Sequence, residues 1–434
     1  MEHSYNLLVF FSLLFFINPS TVQSYFRPKA LLLPVSKDPS TLQYLVQINQ
    51  RTPSVPLKLT LDLGGQHLWV DCEQGYVSSS YNPVPCKSAQ CSLFKFNLCV
   101  TACLADPQPG CNNNTCVHFP GNTVTHNEAS GEVAQDVVSI QSTDGSNPGR
   151  VVSVSKMIFT CGVTHLLDGL ASGVKGMAGL GRAKTSLPSQ FSAAFSFDRK
   201  FAICLSSSTK GNGVVFFGDG PYVLLPSIDV SKSLVYTPLI RNPNAASLFY
   251  EGGPSSEYFI GVKGININGK AVALNTSLLT IDKEGIGGTK ISTVDPYTVM
   301  ERTIFKAVTK AFIKELAGVP RVAPVAPFRV CFNSANIGST RVGPAVPQID
   351  FVLQRKSVLW SIFGVNSMVR VKDDMLCLGF VDGGVNPRSS IVIGGYQLEN
   401  HLLQFDLATA KLGFSSLLLF GQTTCANFNF TSVA

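Results

Sequence analysis

Charged residues are scarce: only 14% of the 434 residues are Asp, Glu, Lys or Arg, against about 25% in an ordinary soluble domain. No basic run exceeds two residues, so the formal net charge of +7 is thinly spread and a nucleic-acid groove is excluded. Metal-ligand clusters, phosphate-binding glycine loops and nucleotide fingerprints are also absent, so we expect no metal and no cofactor. Apolar residues, by contrast, make up 45% of the chain, which excludes wholesale disorder.

The sequence also lacks a membrane span. The most apolar run, residues 7–17, is shorter than the roughly 20 residues that a spanning helix needs. Small residues, including Ser20 and Ser24, follow it in a cleavage-like arrangement, so we predict a signal peptide over residues 1–24 and a secreted protein. No Lys or Arg precedes the run, which departs from the usual signal-peptide pattern. The alternative is a buried N-terminal helix.

Cysteine, in contrast, is abundant. All 12 cysteines lie in the predicted mature chain, and an even count in an exported protein predicts up to six disulfides. Zinc binding is disfavoured, because the crowded stretch between Cys72 and Cys116 contains no C-x-x-C pair. Three N-x-S/T sequons predict glycans at Asn113, Asn275 and Asn429.

Short alternating runs bounded by turn residues predict a mostly β fold. Only one long helix is predicted, over residues 301–316, with a shorter one after the start signal at residues 186–189. The predicted strands are residues 43–48, 57–61, 133–140, 151–159, 213–217, 258–267 and 391–393.

The chain is weakly duplicated. Its early half has a strand followed by Asp-Leu-Gly-Gly at residues 62–65, and later an apolar run ending in glycine at residues 176–181. Its late half repeats this order with residues 292–295 and 391–395. We therefore predict two similar β lobes, over residues 25–235 and 236–434.

These motifs resemble the pepsin-like aspartic protease superfamily in its secreted plant branch. The stretch at residues 62–72 matches D-T-G-S-x-x-x-W-V-x-C, and residues 176–190 match G-x-x-G-L-G-R…S-L-P-S-Q. Residues 288–298 lie where the family has G-T-x-x-D-S-G-T-x-Y-T, and residues 391–414 match the I-x-G…F-D…G-F ending. The resemblance implies a bilobal pepsin-like fold with two pseudo-symmetric β lobes.

The residues needed for proteolysis are incomplete. Aspartic proteases use two carboxylates that share one proton, and here Asp62 stands at the first position but Ser292 at the second. A hydroxyl cannot replace a carboxylate in that dyad. Asp295 could substitute only if the register of the loop slid by three residues, which would place Pro296 and Tyr297 where the loop needs serine and glycine.

Three further departures concern the same site. Leu63 replaces a threonine that locks the two loops together in active members, and Gly65 replaces a serine that hydrogen-bonds the carboxylate. No tyrosine lies between Cys116 and Gly131, where active members carry the flap tyrosine. We therefore predict an inactive protease homologue in which Asp62 accepts backbone N–H bonds as a turn residue.

Within the superfamily, the chain resembles a non-proteolytic plant group that includes xyloglucan-specific endoglucanase inhibitors, extracellular dermal glycoprotein, xylanase inhibitors and basic 7S globulins. The motifs that carry this resemblance are residues 62–65, 381–384, 390–399 and 423–430. It implies a protein of the apoplast or cell wall that inhibits a microbial endoglucanase or a related glycoside hydrolase in plant defence, with no membrane partner.

Retaining glycosidases hold two carboxylates about 5–5.5 Å apart, and an inserted guanidinium can bridge them. Loops of the C-terminal lobe supply such residues in related inhibitors. The matching candidates are Arg341, in a glycine-flanked turn, Gln422 in the tail, and Arg321. Glutamine adds no charge at a position where a basic residue is expected, so inhibition could be weak or directed at another enzyme.

The resemblance also implies disulfides between Cys204 and Cys425 and between Cys331 and Cys377. Cys72 and Cys161 are assigned to disulfides as well, whereas the connectivity from Cys86 to Cys116 stays open. Two alternative functions remain: a residual aspartic endopeptidase, and a basic 7S globulin-like storage protein that binds a peptide or glycan.

Overall fold

The computed structural model describes residues 26–245, 253–355 and 357–431, and the predicted signal peptide lies outside the described residues. Strands dominate these ranges, so the prediction of a mostly β fold is confirmed. Among the helices found there, none has the length and apolar character needed to cross a membrane.

The strands are short and fall into two sets along the chain. The first set is β1 Ala30–Lys37, β2 Tyr44–Gln50, β3 Val55–Asp62, β4 Trp69–Asp71, β5 Asn82–Pro83, β6 Leu98–Val100, β7 Thr115–His118, β8 Gly121–Asn122, β9 Asn127–Glu128, β10 Gly131–Thr143, β11 Pro148–Gly162, β12 Gly176–Gly179, β13 Lys200–Cys204, β14 Gly213–Gly218, β15 Val223–Leu224, β16 Ile228–Asp229 and β17 Val235–Ile240. The second set is β18 Tyr258–Ile260, β19 Val262–Ile267, β20 Lys270–Ala271, β21 Thr289–Ile291, β22 Thr298–Met300, β23 Arg321–Val322, β24 Cys331–Asn333, β25 Ser339–Thr340, β26 Gly343–Pro344, β27 Ile349–Leu353, β28 Leu359–Ile362, β29 Met368–Lys372, β30 Met375–Leu378, β31 Phe380–Asp382, β32 Ile391–Ile393, β33 Leu402–Asp406 and β34 Lys411–Phe414.

The described residues also form four α-helices: α1 Leu187–Phe195, α2 Arg302–Glu315, α3 Gly364–Ser367 and α4 Gly395–Leu398. The two predicted helices are confirmed as α1 and α2. Helix α2 begins after Glu301, whose carboxylate accepts the backbone N–H of Thr303 at 2.7 Å and caps the first turn. Its apolar face is buried through Ile304, Val308 and Phe312, as the spacing of those residues predicts.

The same strand pairings occur twice. In the first half, β3 pairs in parallel with β12, β12 pairs antiparallel with β4, and β4 pairs in parallel with β11. In the second half, β21, β32, β22 and β31 repeat this parallel, antiparallel, parallel sequence. The duplication seen in the sequence is therefore a structural repeat.

A sheet built from both halves connects the two repeats. Strands β1, β14 and β13 pair in this order, β13 continues to β33, and β33 continues through β34 to β17. The rings of Phe201 and Phe405 stack on one another in this sheet at 4.8 Å. The predicted domain boundary at residues 235/236 falls at the start of β17 and stays a prediction.

All 12 cysteines form disulfides, which leaves no thiolate for the zinc site that the sequence disfavoured. Cys204–Cys425 and Cys331–Cys377 are the pairs that the resemblance implies. Cys72 and Cys161, also assigned to disulfides, pair with one another, and the connectivity that was left open is Cys86–Cys99, Cys91–Cys116 and Cys103–Cys111.

Candidate functional site

Asp62 ends β3 at the base of a cleft between the two halves. Its Oδ1 accepts the backbone N–H of Gly64 at 2.9 Å, which is the turn geometry predicted from the sequence. Burial raises the pKa of Asp62, against the lowering effect of the hydrogen bonds from Thr123 and Gly64. A Cβ at position 65 would lie 2.8 Å from Oδ2 of Asp62, so glycine there leaves room for the carboxylate.

A hairpin of β8 and β9 covers Asp62 and occupies the place of the flap. The hydroxyl of Thr123, at its turn, donates to Oδ2 of Asp62 at 2.8 Å. The indole N–H of Trp69 donates to the carbonyl oxygen of Gly121 at 2.9 Å and fixes the start of the hairpin. Sequence reasoning noted the missing flap tyrosine and the nearby Phe119, but it missed Thr123, for which no motif gave a signal.

Ser292 is the structural counterpart of Asp62. The pairing registers of the two halves match: Met177 pairs with Trp69, seven residues after Asp62, and Val392 pairs with Val299, seven residues after Ser292. Asp295 therefore corresponds to Gly65, three residues beyond the dyad position. The unshifted register therefore holds, and the Ser292 hydroxyl oxygen accepts the N–H of Asp295 at 3.2 Å.

One hydroxyl still joins the two loops. Thr293 donates to the carbonyl oxygen of Leu61 at 2.7 Å and accepts the N–H of Leu63 at 3.0 Å. All three residues are buried. Leu63 has no side-chain hydroxyl, so at this position the first loop makes no equivalent side-chain hydrogen bond to the second loop.

Replacing Thr293 with valine is expected to lower the free energy of unfolding by about 1–3 kcal/mol, because two buried backbone groups lose their partner. Urea unfolding measures the change. Thr280→Val is the matched control, since the hydroxyl of this exposed residue donates to a carbonyl oxygen within its own turn. Equal effects of the two substitutions would contradict a stabilising role for the link.

An ion pair, which sequence reasoning missed, lies beside Asp62. Nζ of Lys290 is 2.6 Å from Oε1 of Glu257, and Ser255 donates to the other carboxylate oxygen at 3.1 Å. Burial alone would raise the pKa of Glu257, but Lys290 and Ser255 hold it below its ordinary value. Burial opposes the charge of Lys290, yet Glu257, Asp295 and Asp62 raise its pKa. Both groups are therefore charged at neutral pH.

The cleft has a volume of about 1080 Å³ and is lined by both halves of the chain. Its floor carries Asp62, Ser292 and the Lys290–Glu257 pair, and its walls include Trp69. Of the inhibitory candidates Arg341, Gln422 and Arg321, none is among the residues that line it. These three candidates therefore lie outside the cleft.

Arg341 lies at the turn between β25 and β26 and is exposed. Within the described ranges its guanidinium makes no ion pair. The turn is fixed internally, since the Thr340 hydroxyl donates to the carbonyl oxygen of Gly343 at 2.8 Å. The N–H of Val365 donates to the carbonyl oxygen of Val342 at 2.8 Å and attaches the hairpin to α3.

The tail meets this hairpin. Residues Leu418–Gly421 form a 3₁₀ turn, and the ring of Phe420 lies 5.7 Å from the Arg341 guanidinium. Gln422 follows; its side chain is exposed, and its backbone adopts the left-handed conformation at a φ of 57°. The Cys204–Cys425 disulfide then ties the tail to β13. Arg341 and Gln422 therefore belong to one surface.

The remaining predicted site residues lie on other segments of the chain. Arg321 is exposed at the start of β23, which pairs with β24, the strand that begins at Cys331. Among the sequons, Asn113 and Asn275 are exposed, whereas Asn429 is half-buried and its amide donates to Asn147 at 3.5 Å. Glycosylation at the three sequons stays a prediction.

Two family models match most of the described chain. The model described as Xylanase inhibitor N-terminal matches residues 44–219, and the one described as Xylanase inhibitor C-terminal matches residues 257–416. A relative from Nicotiana benthamiana, named Probable aspartic proteinase GIP2, is 63% identical over 425 residues, which cover 97% of each chain.

Solved structures agree with this assignment. The crystal structure of edgp superimposes with a TM-score of 0.92 at 61% identity, over 94% of this chain and 99% of that one. The aspartic proteinase from Irpex lacteus is only 15% identical, but its TM-score of 0.54 over 91% of this chain and 99% of that one shows the shared pepsin-like fold. The chain therefore belongs to the xylanase inhibitor family of pepsin-like proteins, together with relatives named gamma conglutin and basic 7S globulin.

Proposed function

We propose that this chain is a secreted, proteolytically inactive aspartic-protease homologue that inhibits microbial cell-wall-degrading glycoside hydrolases of the xyloglucan endo-β-1,4-glucanase type. Arg341 enters the target's cleft and bridges its two carboxylates. The observation that carries the proposal is the exposed guanidinium of Arg341, without an ion pair in the described residues, on a hairpin fixed to the scaffold.

The residues at the two dyad positions support the proposal that the protein is proteolytically inactive. Water activation in this fold needs a carboxylate on each loop, and the counterpart of Asp62 is a serine whose hydroxyl oxygen accepts a backbone N–H. Oδ2 of Asp62 is in turn occupied by Thr123. The residues present hold the two loops in place without the pair of carboxylates that share a proton.

We expect no proteolysis at acid pH by the purified protein. The measurement is cleavage of a denatured protein substrate between pH 3 and pH 5, with pepsin as the positive control and pepstatin as the inhibitor. Pepstatin-sensitive cleavage that persists in Asp62→Asn material would point to a contaminant, whereas cleavage lost in that variant would revive the endopeptidase alternative.

The proposal that the protein is an inhibitor rests on the charge of Arg341 and on the anchoring of its hairpin. A guanidinium presents a planar fork of donors that matches two nearby carboxylates, and it stays charged at any physiological pH. The hairpin holds that fork at its tip, and the adjacent tail is covalently attached through Cys425. A rigid loop loses little conformational entropy on entering a cleft, which favours tight binding.

Replacing Arg341 with alanine is expected to raise the inhibition constant at least about 30-fold, because two desolvated target carboxylates lose their partner. The measurement titrates a microbial xyloglucan-specific endoglucanase with the secreted, purified protein. Lys314→Ala removes an exposed cation from α2 and serves as the matched control, and Arg321→Ala tests the other basic candidate.

The possible outcomes test the position of the inhibitory residue separately from the assignment as a glucanase inhibitor. Inhibition that survives in Arg341→Ala but is lost in Arg321→Ala would move the site to β23. No inhibition by micromolar wild-type protein would reject the glucanase assignment. Gln422→Arg tests the tail, because a second cation beside Arg341 should tighten inhibition if the tail also faces the target's carboxylates.

Secretion is part of the same proposal. Six disulfides are typical of an oxidising compartment, and residues 1–24 have the pattern of a signal peptide. The N-terminal residue of protein recovered from the culture medium of an expressing plant cell tests this. A mature chain that begins near Tyr25 is the expected result.

A second candidate is a storage protein of the basic 7S globulin kind that binds a peptide or glycan. The cleft of about 1080 Å³ favours it, because this volume is large enough to hold several residues of a ligand. Saturable binding of a peptide without inhibition of any glycosidase would support this candidate over the first.

A further inference from the structure

We infer that Phe420 is a second contact residue of the inhibitory surface, which occupies a sugar-binding subsite of the target next to its two carboxylates. This inference rests on the proposed function and deepens it. It names an aromatic-lined glycan subsite, in addition to the carboxylate pair, as the feature that a susceptible glycoside hydrolase must have.

Phe420 is an exposed aromatic beside an exposed cation. Its side chain is 42% exposed, although phenylalanine is usually buried. The ring centroid lies 5.7 Å from the Arg341 guanidinium, so a target that contacts Arg341 also meets this ring. Arginine and aromatic residues are the types enriched at interfaces and their energetic centres.

The ring is held in a defined position. It packs edge-on against Phe363 with 5.0 Å between ring centroids. Phe363 directly precedes α3, which anchors the Arg341 hairpin: Gly364 packs so closely on Pro344 that a Cβ there would collide with the Pro344 carbonyl oxygen. The tail and the hairpin are therefore both packed against the start of α3, which holds the Phe420 ring beside the hairpin that carries Arg341.

The backbone of the tail supports the same geometry. Leu418 is buried at the start of the 3₁₀ turn, and the backbone N–H of Gln422 closes the turn by donating to the carbonyl oxygen of Leu419 at 3.2 Å. Thr423 then donates to the carbonyl oxygen of Leu225 at 2.7 Å. Phe420 is thus the apolar side chain that this anchored turn presents outward.

The chemistry fits an endo-acting glycosidase. Its substrate cleft holds sugar rings in a row on either side of the carboxylates, and sugar faces pack on aromatic side chains. A phenyl ring has about the size of a sugar ring and packs on an aromatic face in offset or edge-on geometry. With the guanidinium on the carboxylates, the ring a few ångströms away reaches the neighbouring subsite.

The experiment compares inhibition constants for the xyloglucan-specific endoglucanase with full-length secreted wild type, Phe420→Ala, Phe420→Tyr and Arg341→Ala. We expect Phe420→Ala to raise the inhibition constant about tenfold, because burial of part of an aromatic side chain is lost. Phe420→Tyr should restore inhibition to within about threefold of wild type. Val385→Ala is the control, since Val385 is 64% exposed in a different loop.

A target-side variant excludes a merely structural effect. Against a target in which the aromatic residue of the subsite beside the carboxylates is replaced by alanine, Phe420→Ala should raise the inhibition constant less than about twofold. Thermal unfolding of the inhibitor variants checks that the tail remains docked, and Phe420→Leu, which keeps apolar contact with Phe363, replaces Phe420→Ala if that variant unfolds.

The outcomes are distinguishable from those of the proposed function. Inhibition lost in Arg341→Ala but unchanged in Phe420→Ala and Phe420→Leu would overturn this inference and leave the function standing. An equal loss against the target with and without its subsite aromatic would also overturn it. Wild-type protein that does not inhibit would overturn both.

Discussion

Replacing Lys37 with methionine is expected to lower the free energy of unfolding at pH 7 by about 3–5 kcal/mol, because it leaves a buried carboxylate without its cation. Lys37 ends β1, and its Nζ contacts Oε1 of Glu399; the two side chains are only 9% and 2% exposed. The hydroxyl of Tyr44 donates to the same oxygen at 2.8 Å. Urea unfolding monitored by tryptophan fluorescence measures the change.

The pH dependence of this variant identifies the cause. Burial already raises the pKa of Glu399, and Lys37 opposes that rise, so its removal raises the pKa further. A folded pKa above the unfolded value means that stability is lost as pH rises through the window between them. The defect of Lys37→Met should therefore shrink towards pH 4, where Glu399 is protonated.

Two variants complete the comparison. Glu399→Gln added to Lys37→Met removes the uncompensated charge and should recover most of the loss. Lys270→Met breaks the pair with Glu315, in which Lys270 is 72% exposed, and should have a far smaller effect. A loss in Lys37→Met no larger than that in Lys270→Met would show that the buried pair contributes nothing specific.

The second large effect is acid destabilisation through three buried histidines. His67, His118 and His401 are each 5% exposed or less. Burial lowers the pKa of His118 and of His401 to about 4, although a hydrogen bond to a backbone carbonyl oxygen raises each pKa in part. Burial also lowers the pKa of His67 well below its ordinary value. In the unfolded chain these residues bind protons below about pH 6.5.

The sign follows from proton linkage. Below pH 6.5 the unfolded state binds more protons than the folded state, so stability is fully present above pH 6.5 and is lost as pH falls towards 4. At about 1.4 kcal/mol per pKa unit, His118 and His401 each account for roughly 3 kcal/mol over that range. Carboxyl groups with raised pKa values, such as Asp62 and Glu132, oppose part of the loss.

His401→Asn isolates one contribution. Asparagine can still donate to the carbonyl oxygen of Glu399, which Nδ1 of His401 contacts at 3.0 Å, but it does not titrate. Urea midpoints at pH 4.5, 5.5 and 6.5 should fall less steeply in this variant than in wild type. His165→Asn, which removes an exposed imidazole, is the control. Equal slopes in wild type and His401→Asn would contradict the prediction.

Much of the fold could be predicted because its signals are local. The alternation of β2 and β3 and the apolar face of α2 involve residues close in sequence, and burial of one face dictates each element. The repeated motifs around Asp62 and Ser292 also indicated the duplication, because the same turn chemistry recurs at the same place in each half.

The site was less predictable because its contacts join distant residues. The bond between Thr123 and Asp62 spans 61 residues, and the one between Thr293 and Leu61 spans 232. The Lys290–Glu257 pair forms because β21 lies beside β18 in the sheet, which single-sequence periodicity does not reveal. The contact of Phe420 could not be predicted either, because it is made with the Arg341 hairpin, which is distant in the sequence.

The disulfide between Cys204 and Cys425 closes a loop across 221 residues and therefore bears on how the protein survives proteolytic attack. A single cut in any exposed loop between these two cysteines yields two pieces that remain covalently joined. Strand β33 stays paired with β13 across the same junction, so the nicked molecule retains its central sheet. A chain cut once in this way keeps the tail that carries Phe420 covalently attached.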